Sequence, residues 1–502
     1  MKKNLRISIV LSYVSMFLGI IVSVLYTPFM LRSLGQQQYG LYNMAASAIS
    51  YLNLFDLGLG NAVVRYSTKY RLEGKYKEAE YLYGMFMKIF GVISLLTILI
   101  GSLLIINIDR IYTVSTGTEG IYQIRLIMTL MVISLAISFP GSVYGSIITA
   151  YEDFTFLKIT AMISTILNPI IMIPLLIFGF KAIAMATVAL VLNIIIIICN
   201  AIFVHKKLKV KIRFGKVDKP LLMEIGKYSW FIFLGAVVDQ LYWNTDKIIL
   251  GARIGEVSVA VYSVGSQIHT YFQQFSWSIS NVFFPKVTKM VLQDSRDVLY
   301  CFFLKVGRIQ FFVLFLIYSG FLIFGKEFIQ WWAGDGYQSA YYIALILITG
   351  AIIPLIQNTG VHIVQAMNKH AFRSVCYFCI AIMNAVSSYF LAVRWQGIGC
   401  ALCTLVSLLL GHGLAMNWYY KNRIGLDILN FWKNIFVIVI KFLPLVLISY
   451  FVNKIYITSN IFFLFFKISI YILGYILTAY FVNMNCEEKG IIIGIVRKVV
   501  KR

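Results

Sequence analysis

Long apolar runs recur along the whole sequence and limit its fold more than any other feature. A helix needs about 20 apolar residues to cross a bilayer. About 14 runs of this kind occur, and the gaps between them are too short for a separate soluble domain. Only 13% of the residues are charged, against about a quarter in soluble domains. The sequence therefore predicts an all-α polytopic membrane protein with about 14 transmembrane helices. These helices cover residues 7–31, 38–64, 81–107, 121–149, 156–179, 182–204, 228–252, 257–284, 298–325, 338–366, 372–393, 397–419, 432–452 and 460–484, within a few residues at each end.

The basic residues concentrate in alternate gaps between these helices. The set of gaps that includes both termini holds about 30 of the 44 Lys and Arg residues, and the other set holds about 6. Positive charge marks the cytoplasmic side of a membrane protein, so we expect both termini to be cytoplasmic. The net charge of +24 follows from this topology and from attraction to anionic lipid headgroups. Because the basic residues are dispersed over short loops, nucleic acid is not a predicted partner.

Four cysteines have the spacing of a zinc site, two C-x2-C pairs separated by twenty residues. They are Cys376, Cys379, Cys400 and Cys403. A structural zinc site needs four thiolates that converge on one ion. Both pairs lie in or at the edge of apolar runs, where cysteine packs as a small hydrophobic side chain. The sequence therefore predicts no metal site and no cofactor.

The chain is internally repeated. Residues 35–70 align without a gap on residues 255–290, with seven identities. The shift covers six helices, an even number, so the two copies have the same orientation. This predicts two six-helix lobes in a parallel repeat, related by a pseudo-two-fold axis along the membrane normal. The N-lobe is residues 1–204, a basic cytoplasmic linker is 205–227, the C-lobe is 228–420, and two extra helices with a basic tail are 421–502.

One helix of each repeat carries a polar stripe. Positions three, four and seven apart share a helical face. In the second helix that face holds Asn43, Ser47, Ser50, Tyr51, Gly58, Asn61, Arg65 and Lys69. In the eighth it holds Ser263, Gln267, Thr270, Tyr271, Gln274, Ser278 and Asn281. Polar faces in a membrane avoid lipid, which favours a water-filled cavity between the lobes. Hydrogen bonding between helices is the alternative. Asp56 points away from the stripe, and its partner is not evident.

Two further helices carry ionisable groups. On the seventh helix Asp239 and Asp246 are seven residues apart, which predicts a shared face, and Lys247 follows the second. His362 lies on the tenth helix after Pro354, a potential kink. Ionisable groups within a membrane are functional candidates. Asp239, Asp246, Lys247 and His362 are therefore candidates for ion coupling or a conformational switch. A simple ion pair at Asp246 and a packing role for His362 are the alternatives.

Three segments resemble one family of transporters. They are LGQQQYGLYNMAASAISYLNLFDLGLGNAVVRYSTKY at 34–70, TDKIILGARIGEVSVAVYSV at 245–264 and WQGIGCALCTLVS at 395–407. Their order and spacing are similar to the polysaccharide-transport branch of the multidrug/oligosaccharidyl-lipid/polysaccharide exporter superfamily. That branch contains the Wzx-type flippases of O-antigen, capsule and exopolysaccharide repeat units.

The resemblance implies a flippase of the bacterial inner membrane. Its substrate would be an undecaprenyl-pyrophosphate-linked oligosaccharide, moved from the cytoplasmic to the outer leaflet for lipopolysaccharide, capsule or exopolysaccharide biosynthesis. A polysaccharide polymerase is a candidate partner, and H⁺, Na⁺ or neither could be coupled. In such proteins a cationic cavity holds the anionic headgroup, a role that fits Arg65 and Lys69. The other candidate substrate contacts are Tyr51, Asn61, Gln267, Tyr271, Gln274 and Asn281.

Other classes of function fit the sequence less well. An ion-coupled drug exporter of the same superfamily would use acidic groups such as Asp239 and Asp246. A membrane enzyme, such as a polymerase or ligase of lipid-linked sugars, needs catalytic carboxylates or a sizeable extramembrane loop. The gaps on the outer side have about 15 residues or fewer, so no enzyme is predicted. A purely structural protein would not need two matched polar stripes.

Overall fold

The computed structural model describes residues 2–112, 117–215, 219–293, 295–367, 369, 371–455 and 460–490. Every regular element named in these ranges is helical, as the apolar runs predict. The α-helices, numbered in chain order, are α1 Lys2–Ser50, α2 Leu59–Leu72, α3 Tyr76–Ile106, α4 Ile108–Ile111, α5 Thr118–Ala150, α6 Phe154–Ile177, α7 Ala182–Ile202, α8 Lys219–Trp243, α9 Thr245–Arg253, α10 Glu256–Gln293, α11 Arg296–Ala333, α12 Gln338–Ile356, α13 Asn358–Ala366, α14 Ala371–Leu408, α15 Asn417–Tyr419, α16 Ile428–Ile455 and α17 Ile461–Thr478.

Within the described residues, ten helical stretches are long and apolar enough to cross a membrane. Two of them, Val10–Leu72 and Ala371–Ile424, each contain two predicted helices. The backbone leaves the helical conformation at Gly35, with φ of +72°, and at Gln396. The predicted seventh and eighth helices are also helical, in α8 to α10, although they are not among the ten. The all-α polytopic fold is confirmed, and the number of 14 crossings stays a prediction.

Helix α3 illustrates how these helices divide their surface between lipid and protein. Its exposed apolar side chains recur every three or four residues, at Val92, Leu95, Leu99, Leu103 and Ile106. Its opposite side is fully buried at Phe86, Phe90 and Thr97. Burying a Phe side chain contributes about 1.5–3 kcal/mol relative to exposure in water. One face of the helix thus suits lipid, and the other belongs to the protein core.

Two compact units divide the chain. The first is Met1–Ser263 with Tyr377–Cys403, and the second is Val264–Cys376 with Thr404–Arg502. Their boundaries fall within α10 and α14. The predicted lobes, residues 1–204 and 228–420, stay a prediction.

The core of the first unit lies among α2, α3 and α5. The rings of Phe90 on α3 and Phe139 on α5 are stacked, with centroids 6.3 Å apart. The hydroxyls of Ser67 on α2 and Tyr83 on α3 share a buried hydrogen bond of 2.5 Å. These contacts attach α2, which carries the predicted cationic residues, to two long membrane helices.

The basic linker after α7 is bound along α3. The backbone N–H of Arg213 donates to the backbone oxygen of Glu80 (3.1 Å), and the two side chains form an ion pair of 2.6 Å. Lys88 Nζ donates to the backbone oxygen of Gly215. The close approach requires a glycine, because a Cβ at Gly84 would lie 2.0 Å from the backbone oxygen of Arg213.

Polar contacts also fasten α16 and α17 within the second unit. Lys467 on α17 forms an ion pair of 2.9 Å with Glu327 on α11, and both side chains are about nine-tenths buried. Its ammonium also donates to Asn453 on α16. The hydroxyl of Tyr471 bonds that of Ser319. Removing one partner of a buried pair costs about 3–5 kcal/mol, so these helices are integral to this unit.

We expect Gly84→Ala to detach the linker from α3. The new methyl group would displace the backbone at Arg213, at a cost of about 1–3 kcal/mol for overpacking. The thermal unfolding midpoint of the purified protein should fall by several degrees, and trypsin should cleave faster at Lys211. The matched control is Gly91→Ala on the same helix, where a Cβ meets nothing within 4 Å. Equal behaviour of the two variants would show that the close contact contributes nothing.

Candidate functional site

The polar stripe of the predicted second helix is interrupted. A 3-10 segment, Tyr51–Asp56, follows α1, and Leu57 and Gly58 then adopt left-handed backbone conformations before α2 begins. The prediction of one continuous polar face assumed an unbroken helix, and it is wrong in that respect. A side chain at Gly58 would also clash with Ile232 of α8, at 2.6 Å.

The break explains Asp56, for which the sequence suggested no partner. Its carboxylate lies near the backbone N–H groups of Gly58 and Gly60. The first N–H groups of a helix have no partner within the helix, and an anion is favourable there. Asp56 therefore stabilises the start of α2 within an otherwise apolar region.

The upstream half of the stripe is tied to the α8–α9 junction in the same unit. The Ser50 hydroxyl bonds the Gln240 side chain at 3.1 Å. The Tyr51 hydroxyl donates to the Gln240 backbone oxygen at 3.3 Å and shares a 2.5 Å hydrogen bond with Thr245. Asn43 and Ser47 bond backbone oxygens one turn earlier on α1. Ser50 and Tyr51 therefore fit the alternative of hydrogen bonding between helices, whereas Asn43 and Ser47 bond within α1.

The downstream half of the stripe is open. Asn61, Arg65 and Lys69 are all exposed and recur every four residues on α2. Their neighbours Ala62, Val63 and Tyr66 are buried in the core. The Arg65 guanidinium lies 5.7 Å from the centroid of the Tyr66 ring. The helix thus directs one polar, doubly cationic face away from the core of its unit.

The corresponding stripe on α10 is divided as well. Ser263 is buried and belongs to the first unit, whereas Gln267, Tyr271, Gln274 and Asn281 belong to the second. Gln267 Nε2 donates to the Tyr271 hydroxyl at 2.6 Å. Asn281 is exposed near the end of this series. These four residues stay candidate substrate contacts.

The two aspartates of the predicted seventh helix have different surroundings. Helix α8 ends at Trp243 and α9 begins at Thr245, and a shared face of the two aspartates stays a prediction. Asp239 is exposed. Asp246 is fully buried and accepts a 2.6 Å hydrogen bond from the Tyr262 hydroxyl on α10. Lys247, next to it, is half-buried.

His362 lies on α13 in the second unit. The backbone passes through Pro354 within α12 and breaks at Gln357. The His362 ring centroid is 4.9 Å from that of Phe284. Its Nδ1 is 3.4 Å from the side-chain oxygen of Gln365. Among the residues that the structure describes, no group of three or more His, Cys, Asp and Glu side chains could hold a metal ion.

The sequence did not predict a polar pocket within the first unit. The pocket has a volume of about 330 Å³ and lies between α1, the 3-10 segment, α5 and α7. Its polar lining comes from Tyr42, Ser50, Asn53, Ser134, Ser138 and Asn193. On α5 and α7 these polar residues stand among apolar ones, whereas Ser50 belongs to the polar stripe. The serines four residues apart on α5 and the asparagine in the middle of α7 are the pattern that could have indicated the pocket.

The sequence of the chain is related to proteins of polysaccharide biosynthesis. The family described as "Polysaccharide biosynthesis protein" matches residues 1–291. A Shigella flexneri protein provisionally named as an O-antigen transporter is 22% identical over 403 residues, which cover 78% of this chain and 92% of that protein.

Solved structures share the fold. Lipid II flippase MurJ, in an inward closed conformation, superposes with a TM-score of 0.74 at 16% identity, over 94% of this chain and 98% of MurJ. The MATE multidrug transporter DinF-BH, in complex with R6G, superposes with a TM-score of 0.61 at 15% identity, over 84% of this chain and 96% of DinF-BH. The family match spans more than half of the sequence, and the chain therefore belongs to the polysaccharide biosynthesis protein family.

Proposed function

We propose that the protein is a flippase for a lipid-linked oligosaccharide. It moves an undecaprenyl-pyrophosphate-linked repeat unit from the cytoplasmic to the outer leaflet of the bacterial inner membrane, with both termini in the cytoplasm. The family, the name of the Shigella relative and the fold of MurJ support transport of this kind rather than an enzymatic reaction. A polysaccharide polymerase would then act on the delivered unit.

The open cationic face of α2 is the observation that carries this proposal. Arg65 and Lys69 are exposed and four residues apart, about 6 Å along the helix axis. A diphosphate linkage is anionic, and a planar guanidinium matches its oxygen atoms better than an ammonium does. With the N-terminus in the cytoplasm, these two residues lie at the cytoplasmic end of the second helix, where the substrate is made.

The internal repeat helps to distinguish the role of Arg65 from that of Lys69. Lys69 corresponds to Lys289, whereas Arg65 corresponds to Pro285. A cation that only anchors a helix at the membrane surface is expected in both copies, because both copies have the same orientation. A headgroup contact can be one-sided. Arg65 is therefore the stronger candidate for binding the pyrophosphate.

An ion-coupled drug exporter is the second candidate function. The exposed carboxylate of Asp239 on α8 favours it, because an acidic group in a membrane helix can contribute to a cation site. The likeness to DinF-BH extends to the fold alone. In the flippase, the same carboxylate would couple transport to H⁺ or Na⁺.

We expect Arg65→Ala to abolish restoration of surface polysaccharide in a flippase-deficient strain. Loss of charged hydrogen bonds of about 1.5–3 kcal/mol corresponds to about a 10- to 100-fold loss of affinity. Arg65→Lys should weaken restoration, because the charge remains without the planar fork, and Lys69→Ala should have the smallest effect. The measurement is the amount of surface polysaccharide at matched protein level.

Lys77→Ala is the control for this series, because Lys77 is an exposed cation at the start of the next helix, α3. It should restore polysaccharide like the wild type. If Arg65→Ala inserts normally and restores full export, headgroup binding by α2 is refuted.

We expect Asp239→Asn to reduce export at normal protein levels, since the amide cannot carry the charge that coupling needs. Export should also become independent of the external pH or the Na⁺ concentration, whichever drives the wild type. Glu224→Gln, an exposed acid on the same helix, is the matched control. If Asp239→Asn exports as much polysaccharide as the wild type under all pH and sodium conditions, Asp239 has no part in coupling.

A further inference from the structure

The polar pocket of the first unit shares no residue with the cationic face of α2 and has a different chemistry. None of its twelve lining residues is charged. They comprise serines, asparagines and one tyrosine, together with Ala46, Ile49, Met131, Leu135, Ala186 and Ala189. Pockets for small molecules commonly combine apolar walls with a few oriented polar groups. The lining therefore suits an uncharged ligand with several hydroxyl or amide groups.

The pocket lies at the middle of the membrane helices. Ser134 is near the midpoint of α5 (Thr118–Ala150), and Asn193 is near the midpoint of α7 (Ala182–Ile202). Polar groups at this depth normally face protein or water rather than lipid. A substrate whose polar part crosses the membrane must pass this level, so the pocket is where that part would find hydrogen-bonding partners.

The Asn193 side chain has a fixed orientation. Its amide nitrogen lies 2.6 Å from the Ser138 hydroxyl, 3.0 Å from the Ser134 hydroxyl and 3.1 Å from the Ser134 backbone oxygen. No described residue donates a hydrogen bond to the side-chain oxygen of Asn193. That oxygen is therefore an oriented acceptor in the lining of the pocket.

Asn53 supplies a second, adaptable group. Its side chain is exposed at the start of the 3-10 segment and makes no hydrogen bond to any described residue. An amide offers both a donor and an acceptor. A sugar hydroxyl also both donates and accepts, so an amide can satisfy it in either direction. The half-buried ring of Tyr42 adds an apolar surface of a size that suits the C–H face of a pyranose.

A metal ion fits the pocket poorly. A cation at mid-bilayer depth without a carboxylate beside it would be costly, and the volume of about 330 Å³ is much larger than one ion needs. We infer that this pocket binds an uncharged sugar ring of the lipid-linked oligosaccharide. The inference rests on the proposed flippase function and adds a site that selects the sugar, distinct from the contact of Arg65 with the pyrophosphate.

The test is direct binding by the full chain in nanodiscs. One probe is the source strain's own lipid-linked repeat unit, and the other is undecaprenyl pyrophosphate without sugar. Asn53→Ala should raise the Kd for the glycosylated lipid about 3- to 10-fold, and Ala189→Phe, which fills the pocket, should raise it more. Both variants should leave the Kd for the sugar-free lipid within twofold. Arg65→Ala should raise both Kd values.

Thr187→Phe is the matched control for Ala189→Phe, because Thr187 is exposed on the same helix and does not line the pocket. It should leave both Kd values unchanged. The pocket inference is overturned if the pocket variants weaken both lipids equally or neither. If the wild type binds the two lipids equally, the pocket inference is also overturned, whereas the proposal that Arg65 binds the pyrophosphate still stands. If the wild type binds neither lipid, the proposed function and the pocket inference both fail.

Discussion

Backbone groups within a bilayer must be satisfied by the protein itself, because hydrocarbon offers no hydrogen bonds. A continuous helix meets this requirement, and every break in a helix must be compensated. At the Leu57–Gly58 break, the carboxylate of Asp56 lies near the N–H groups that begin α2, where a negative charge is favourable. Tyr51, just before that break, bonds across to Thr245 just after the break between α8 and α9. Tyr51, Asp56 and Thr245 are thus polar residues that lie beside helix breaks, and the Leu57–Gly58 break separates the bonded half of the stripe from its exposed half.

Hydropathy was sufficient to predict the all-α membrane fold, because it depends only on local sequence. The helical periodicity was less informative about which residues share a face. The assumption of about 100° per residue holds along α2, where Asn61, Arg65 and Lys69 do share an exposed face. It fails across Leu57 and Gly58, whose left-handed conformations reset the phase. Periodicity also does not predict that Asp239 is exposed and that Asp246 is buried against Tyr262. The periodicity of a single sequence cannot reveal such a break.

The polar pocket was beyond sequence prediction for a different reason. Its lining residues come from segments up to 151 positions apart, Tyr42 to Asn193. Neither α5 nor α7 carries a polar stripe like that of the predicted second helix, although Ser50 belongs to that stripe. Only the packing of α1, α5 and α7 brings them together, and the Asn193 amide shows its role only once Ser134 and Ser138 are seen to hold it. The repeat does not help, because it aligned residues 35–70 most clearly and left most of α5 and α7 outside.

Separate charged and neutral contacts would solve a problem that every carrier of lipid-linked sugars faces. Charged contacts to a pyrophosphate can hold any substrate built on the same lipid, so they contribute affinity without discrimination. Discrimination requires that a wrong substrate bind with less favourable free energy than the right one. Oriented uncharged groups have this effect, because a polar group left without its hydrogen-bonding partner is unfavourable. Neutral hydrogen bonds are also individually weak, which allows the sugar to leave again on the far side of the membrane. On this account, Arg65 would capture the carrier lipid, and Asn53 and Asn193 would test which sugar it bears.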